Sequence, residues 1–171
     1  MRKFLPFAVL LGACISTGCS SNECYENHSA LPLADFYSAS TMQKVSLTGL
    51  TVYGIGAPGD SMLYIRQNLS QAYLPFRIWE DSTSYVFAYY GLVSDALEDD
   101  ENVVVPTDTI TFRYEPKEWF VSPACGAMYF YDMKSASHTS LLIDSIAFNN
   151  IITNENTSNI KIFFKEVVAN E

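Results

Sequence analysis

The sequence predicts an all-β fold, an antiparallel β-sandwich of about nine short strands, and three observations support this prediction. Residues 109–115 alternate apolar and polar side chains, which is the period of a half-buried strand. Residues 160–165 alternate in the same way near the C-terminus. No window shows the three-to-four apolar spacing, with caps, of an amphipathic helix. An immunoglobulin-like arrangement is one form of such a sandwich, and a barrel is the alternative.

The predicted strands are rich in Tyr, Phe, Val, Ile or Thr, and Gly, Pro, Asn or Asp bound them. In chain order they cover residues 45–53, 61–66, 72–79, 83–90, 109–115, 117–122, 126–132, 141–148 and 160–165. The stretch Gly54–Gly59 reads GxGxxG, but a strand rather than a helix follows it, which indicates a turn and not a dinucleotide-binding loop. The segment Tyr85–Tyr90 is apolar on both faces, which predicts either a central strand or an exposed aromatic platform.

The first nineteen residues have the layout of a bacterial export signal. Arg2 and Lys3 are positively charged, Phe4–Leu11 is apolar, and Gly12–Gly18 consists mostly of small residues. This apolar run is too short to span a bilayer. A cysteine, Cys19, stands where cleavage is expected, which is typical of a lipoprotein whose new N-terminal cysteine carries the lipid.

The signal sets the domain boundaries. We expect residues 1–18 to be removed, residues 19–30 to form the lipidated N-terminus and tether, and residues 31–171 to form a single β-sandwich domain. Cys19 is the predicted lipid site because it leaves an apolar segment of usual length. Cys14 is the alternative site, and an ordinary cleaved signal without a lipid is a third possibility.

The cysteine count supports this choice. If Cys14 leaves with the signal and Cys19 is acylated, then Cys24 and Cys125 remain as an even pair in an oxidising compartment, and we predict a disulfide between them. Such a bridge closes a loop of about 100 residues and contributes about 4–5 kcal/mol in the chain-entropy model. If Cys14 carries the lipid instead, Cys19 remains as an extra thiol.

The charge limits the partners. The formal net charge of −9 argues against nucleic acid and against electrostatic docking on anionic lipid. We therefore expect the acylated cysteine to hold the protein on a lipid bilayer, at the inner or outer membrane, facing the periplasm or the cell surface. No cofactor is expected.

An acidic run offers a candidate metal site. Asp95, Asp99, Asp100 and Glu101 could supply oxygen ligands to calcium. Their spacing lacks the order of an EF-hand loop, and a solvated connection between strands produces the same composition.

Candidate catalytic residues are few. Glu80, Asp81 and Glu118 lie beside or near the two tryptophans, and a pair of them could act as the carboxylates of a glycosidase. His28 in the tether and His138 in a polar loop have no recognisable nucleophile nearby. The sequence therefore predicts a protein without catalytic residues.

Four segments place Asp before Ser or Thr and then an apolar residue or Thr, which resembles the acceptor pattern for O-glycosylation of exported proteins in Bacteroidota. The candidate acceptors are Ser61, Ser82, Thr109 and Ser145. An Asp or Ser that opens a β-strand produces the same letters.

Six short segments occur in one order along the chain: Leu50–Gly54, Asp60–Ser61, Leu74–Pro75, Val121–Gly126, Ile143–Ile146 and Asn159–Phe164. Together with the short gap from Cys19 to Cys24, they resemble a family of Bacteroidota lipoproteins with a domain of unknown function. The resemblance covers nearly the whole mature chain. It implies Cys19 as the anchor and Cys24 with Cys125 as the pair, and it implies no catalytic residue. Ser16, in place of a large aliphatic residue, departs from the usual lipid-attachment pattern.

We therefore expect an exported, membrane-anchored lipoprotein that serves as a non-catalytic binding module for an envelope protein or a glycan. An exposed aromatic or edge-strand surface at the end away from the tether would support this role. The alternatives are a small carboxylate-dependent glycan hydrolase and a calcium-binding envelope protein.

Overall fold

The structure, a computed structural model, describes residues 30–57, 62–93, 103–123, 126–155 and 157–165. These residues contain ten β-strands and one 3₁₀ turn at Tyr90–Leu92, so the all-β prediction is confirmed. The strands are β1 (Leu33–Ser38), β2 (Leu47–Gly54), β3 (Met62–Leu69), β4 (Gln71–Tyr73), β5 (Ser82–Tyr89), β6 (Thr107–Ser122), β7 (Gly126–His138), β8 (Ile143–Phe148), β9 (Ile151–Ile152) and β10 (Ser158–Phe164).

The strands form a four-stranded sheet in the order β4-β1-β10-β8 and a six-stranded sheet in the order β3-β2-β5-β6-β7-β9. Neighbouring strands pair antiparallel except β1 and β10, which pair in parallel with Phe36 opposite Ile162. The sandwich is therefore mixed rather than purely antiparallel. Its strand order also differs from the ABED and CFG order of an immunoglobulin constant-type domain, so the immunoglobulin-like form of the prediction does not apply.

Aromatic side chains fill the space between the two sheets. Phe36 of β1 contacts Phe87 of β5 edge-to-face, with ring centroids 6.2 Å apart, and Phe164 of β10 lies 5.4 Å from Phe36 and 6.5 Å from Tyr89. Edge-to-face geometry is the arrangement that aromatic pairs prefer. Every residue from Tyr85 to Tyr89 is buried, so this segment is a central strand and not an exposed platform.

Strand pairing extends the β6–β7 hairpin beyond the predicted strands. Residues 109–115 and 117–122 belong to one 16-residue strand that continues through Pro116. The polar stretch up to His138, expected as a loop, is the end of β7, with His138 opposite Ile110. Backbone hydrogen bonds to the long strand β6 hold these polar residues of β7 in a strand, since strand preference depends on context.

The predicted strand 72–79 is wrong beyond Tyr73, because its backbone carbonyls bond to side chains instead of to a neighbouring strand. Three tyrosine hydroxyls donate hydrogen bonds to three successive carbonyls: Tyr85 to Pro75, Tyr131 to Phe76 at 3.2 Å, and Tyr114 to Arg77 at 3.0 Å. Buried backbone groups need partners, and tyrosines can supply them as well as a ladder can. We call residues 74–77 the tyrosine-held segment.

The GxGxxG stretch connects two antiparallel strands, as predicted. β2 ends at Gly54, β3 begins at Met62, and the two strands pair with Val52 opposite Tyr64. Residues 58–61 of this connection lie outside the described residues.

Candidate functional site

The distal parts of β6 and β7 form an arm that extends past β5, the neighbour of β6 in the six-stranded sheet. β5 pairs with β6 only as far as Arg113, whereas β6 and β7 remain paired up to Ser122 and Gly126. We call residues 114–122 and 126–131 the arm. Within the described part of the chain, no further strand pairs with the outer edge of β6 along the arm.

The end of the arm exposes large aromatic side chains. Trp119 is 60% exposed and Phe120 is 66% exposed, and as neighbours on a strand they point to opposite faces. Trp79, in the connection before β5, is 83% exposed and lies 6.3 Å from the ring of Tyr129 on the arm. We call Trp79, Trp119 and Phe120 the aromatic tip. Large aromatic side chains exposed on and beside one arm are typical of an interaction surface.

A band of charged residues lies just behind the aromatic tip. The ammonium of Lys117 contacts the Glu115 carboxylate, and that of Lys134 lies 2.7 Å from Asp132 and 3.6 Å from Glu115. Hydrogen bonding to Lys117 lowers the pKa of Glu115, and hydrogen bonding to Asp132 raises the pKa of Lys134. Because these groups lie at the surface, with only Asp132 half-buried, the pairs contribute little to stability.

The tyrosine-held segment fixes the position of Trp79. The Phe76 ring in this segment stacks on Tyr114, with centroids 4.4 Å apart, and the Tyr131 ring meets it edge-on at 5.2 Å. Burial raises the pKa of Tyr131 to about 12 and also raises the pKa of Tyr114, so both hydroxyls stay protonated donors at neutral pH. Trp79 follows two residues after Arg77, and its backbone is therefore anchored close to a rigid part of the core.

The chain enters the domain beside the arm. The backbone N–H of Ala30 donates to the carbonyl oxygen of Tyr129 at 2.9 Å, and Ala30 is buried. At the other end of the sandwich, the N–H of Lys165 donates to the carbonyl of Leu142 at 2.8 Å. Ala30, the first described residue, therefore lies at the same end of the domain as the aromatic tip.

The predicted carboxylates lie at the surface near this end. Glu80 and Asp81 are exposed in the connection before β5, and Glu118 is exposed on the arm opposite Tyr129. None of these three carboxylates is enclosed by apolar side chains. His138, at the end of β7, has its Nδ1 atom 2.8 Å from the carbonyl oxygen of Thr139.

Several predicted site residues lie outside the described residues: Cys14, Cys19, Cys24, Cys125, Asp95, Asp99, Asp100, Glu101, Ser61 and His28. Among the residues that the structure does describe, no group of three or more His, Cys, Asp or Glu could hold a metal ion. The same residues contain no helix that is long and apolar enough to cross a membrane.

The described glycosylation candidates differ in exposure. Thr109 is half-buried in the middle of the six-stranded sheet, and Ser82 is half-buried at the start of β5. Ser145 is exposed on β8, which is an edge strand, and its hydroxyl donates to Asp144 at 3.1 Å. Ser145 is therefore the described candidate that an enzyme can reach most easily.

Asp108 is the main residue whose role the sequence did not indicate. In the sequence it is only the aspartate that precedes Thr109 in the O-glycosylation-like pattern. Its fully buried carboxylate accepts hydrogen bonds from two side chains and three backbone N–H groups. The donors are Thr139 at 2.6 Å, Leu141 at 2.8 Å, Tyr89 at 3.0 Å, Leu142 at 2.7 Å and Ile143 at 3.1 Å. Burial alone would raise the pKa of Asp108, but the bonds from Thr139 and the backbone outweigh it and lower the pKa. The carboxylate holds the connection from β7 to β8, where the chain crosses between the sheets.

Comparison with curated proteins and with solved structures gives no significant match. A family model described as "Family of unknown function (DUF6452)" matches residues 49–164, which is more than half of the chain and runs from β2 to the end of β10. The match contains most of both sheets, the arm and the aromatic tip. The chain therefore belongs to this family of unknown function, DUF6452.

Proposed function

We propose that the protein is an exported lipoprotein of the bacterial cell envelope that acts as a non-catalytic binding module, with the arm as its contact surface. The observation that carries this proposal is the aromatic tip, where Trp79, Trp119 and Phe120 are each at least 60% exposed. Aromatic side chains supply large contact areas with little loss of side-chain entropy, and they can also stack on sugars. The motif resemblance to Bacteroidota lipoproteins and the signal-like N-terminus support an envelope location.

The proposed anchor is a lipid on Cys19. The test is the mass of the N-terminal peptide of the mature protein, which is expected to begin at Cys19 and to carry acyl chains. A Cys19→Ala variant is expected to be released from the membrane fraction, whereas a Cys14→Ala variant stays in it. A mature N-terminus at Cys14, or at a residue without a lipid, would contradict this assignment.

Site-specific crosslinking tests the contact surface. A photoreactive residue in place of Trp119 is expected to capture an envelope component in intact cells. The matched control is the same residue in place of Leu141, which is exposed at the opposite end of the sandwich. If both positions give the same products, or if neither gives any, the arm is not the contact surface.

A disulfide between Cys24 and Cys125 is proposed to hold the tether on the arm, and the Ala30–Tyr129 contact supports it. Cys24 precedes Ala30 by six residues, and Cys125 precedes Tyr129 by four. Such segments span at most about 20 Å and 13 Å. The two Cα atoms can therefore approach within the roughly 7 Å that a disulfide requires.

Peptide mapping under non-reducing conditions is expected to give one linked peptide that contains Cys24 and Cys125. The double variant Cys24→Ser with Cys125→Ser is expected to unfold with a free energy about 4–5 kcal/mol lower, because the loop closed by the bridge is long. Alkylation of both thiols in unfolded, unreduced protein would show that the bridge does not form.

Of the described O-glycosylation candidates, we propose Ser145 as the modified residue. Ser145→Ala is expected to remove any glycan mass from protein isolated from its natural host, whereas Thr109→Val, which removes the hydroxyl at that position, leaves the glycan in place. The physical reason is access, since a transferase must reach the hydroxyl and Thr109 is half-buried within the sheet. Intact-protein mass spectrometry of the two variants checks this, and a glycan found on Thr109 would refute it.

A further inference from the structure

We propose that the aromatic tip inserts into the lipid headgroup region of the membrane that holds the anchor, so that the contact partner of the arm is the bilayer itself. This inference rests on the proposed lipid anchor and makes the contact surface of the proposed function specific. The sequence led us to expect a binding surface at the end of the domain away from the tether. The exposed aromatic residues instead lie at the end where Ala30 joins the domain.

The first argument is that both faces of the arm are aromatic at its end. Trp119 and Phe120 point to opposite faces and are each more than half exposed. A surface that docks on a protein through one face would leave the other aromatic side chain in water. A ribbon that enters a lipid phase is surrounded on both faces, which is the environment that this arrangement fits. Trp in particular prefers the boundary between headgroups and acyl chains.

The second argument is distance. The chain from Cys19 to Ala30 covers eleven residues and can therefore extend at most about 36–40 Å. Ala30 is hydrogen-bonded to Tyr129, which is itself part of the arm. An acyl chain on Cys19 therefore keeps the arm end, rather than the Leu142 end, close to the bilayer. At such a short range the arm meets the membrane at a high effective concentration.

The same structure limits how deep the tip can go. The outer edge of β6 along the arm has no strand partner among the described residues, and unpaired backbone groups are costly in hydrocarbon. The charged band of Glu115, Lys117, Asp132 and Lys134 lies directly behind the tip. Both features stop insertion at the interface and keep the charged band in water.

The charge specifies the lipid. The net charge is −9, and both lysines of the charged band are paired with carboxylates, so no free positive patch of the band faces the membrane. The interaction is therefore apolar in origin and is expected to be stronger on zwitterionic than on anionic bilayers.

The test uses the full lipidated protein in phosphatidylethanolamine–phosphatidylcholine vesicles. The chain has two tryptophans, so Trp79→Phe leaves Trp119 as the single tryptophan, which is excited at wavelengths that tyrosine does not absorb. In vesicles with bromine on the upper part of the acyl chains, Trp119 emission is expected to fall and to shift to shorter wavelength. The control combines Trp79→Phe, Trp119→Phe and Leu141→Trp, which places the only tryptophan at the opposite end, and its emission is expected to stay unchanged.

Equal quenching of Trp119 and of the control tryptophan would overturn the inference, as would crosslinks from position 119 to a protein rather than to lipid.

A Phe120→Ala variant is expected to weaken the quenching of Trp119, with partitioning of the tip reduced roughly tenfold. The mass of the N-terminal peptide is measured on the same sample and separates the two proposals. A lipidated, vesicle-bound protein without Trp119 quenching leaves the anchor standing and refutes insertion, whereas an N-terminus without lipid refutes the anchor and the insertion that rests on it.

Discussion

Asp108→Asn is expected to lower the free energy of unfolding by about 2–4 kcal/mol, although the two side chains have nearly the same shape. One oxygen of Asp108 accepts from Thr139 and Leu141, and the other accepts from Tyr89, Leu142 and Ile143. An amide offers a single carbonyl oxygen, and its NH₂ group faces donors on the other side. Two or three buried donors then lose their partner, and the connection between the two sheets loosens.

Denaturant unfolding at pH 7 measures this loss, and Asp132→Asn is the matched control. Asp132 pairs with Lys134 at the surface, so its substitution is expected to cost less than about 1 kcal/mol. Equal effects of the two substitutions would contradict the role assigned to Asp108.

The same carboxylate predicts a pH dependence. The pKa of Asp108 is lowered in the folded protein, so its contribution to stability is present above the pKa of the unfolded chain, near 4, and is lost as the pH falls through the lower folded value. The difference in stability between the wild-type protein and Asp108→Asn is therefore expected to shrink below pH ~4. A difference that stays constant from pH 7 to pH 2 would show that the charge of Asp108 is not what stabilises the crossing.

Gly91→Ala is expected to cost about 3 kcal/mol or more, because the added methyl group has no room. The 3₁₀ turn lies directly on β2, and a Cβ atom on Gly91 would stand 2.2 Å from the carbonyl oxygen of Thr48. The obstacle is backbone, which cannot rotate away as a side chain can. Gly49 of β2, with φ of +60°, is part of the same contact, and a Cβ atom added to it would stand 2.6 Å from the Gly91 nitrogen.

The control for this substitution is Gly54→Ala. The nearest atoms to a Cβ at Gly54 are 3.6 Å away, an ordinary contact, so stability is expected to change little. Thermal unfolding followed by circular dichroism compares the two variants. A Gly91→Ala protein as stable as Gly54→Ala would mean that the turn moves off β2 without cost.

The strands that local alternation predicted correctly are those whose two faces differ in burial. In β6 the residues Ile110, Phe112 and Tyr114 are buried and their neighbours are not, which is the pattern that the sequence shows. β1 was missed because Asp35 interrupts its apolar run. That carboxylate is buried and lies 2.7 Å from the ammonium of Lys44, a partner that no local pattern indicates.

The site was harder to predict than the fold. The sequence singled out Trp119 only as a neighbour of Glu118, and its exposure depends on where another strand stops. β5 begins at Ser82, opposite Arg113, so β6, in the part of the chain that the structure describes, continues beyond it without a neighbouring strand on that edge. The length of a neighbouring strand cannot be predicted from the residues of the arm. The tyrosine-held segment was mispredicted for the same kind of reason. Its composition resembles that of a strand, but its carbonyls accept hydrogen bonds from tyrosines that are distant in the sequence.

The parallel pairing of β1 with β10 has a consequence for the order of folding. Leu33 lies opposite Ser158, so the centre of the smaller sheet joins positions 125 residues apart. Contacts this distant form late and make folding slow. The smaller sheet cannot assemble until nearly the whole polypeptide has been synthesised. In a protein exported as proposed above, this sheet therefore closes only after β10 has followed β1 across the membrane.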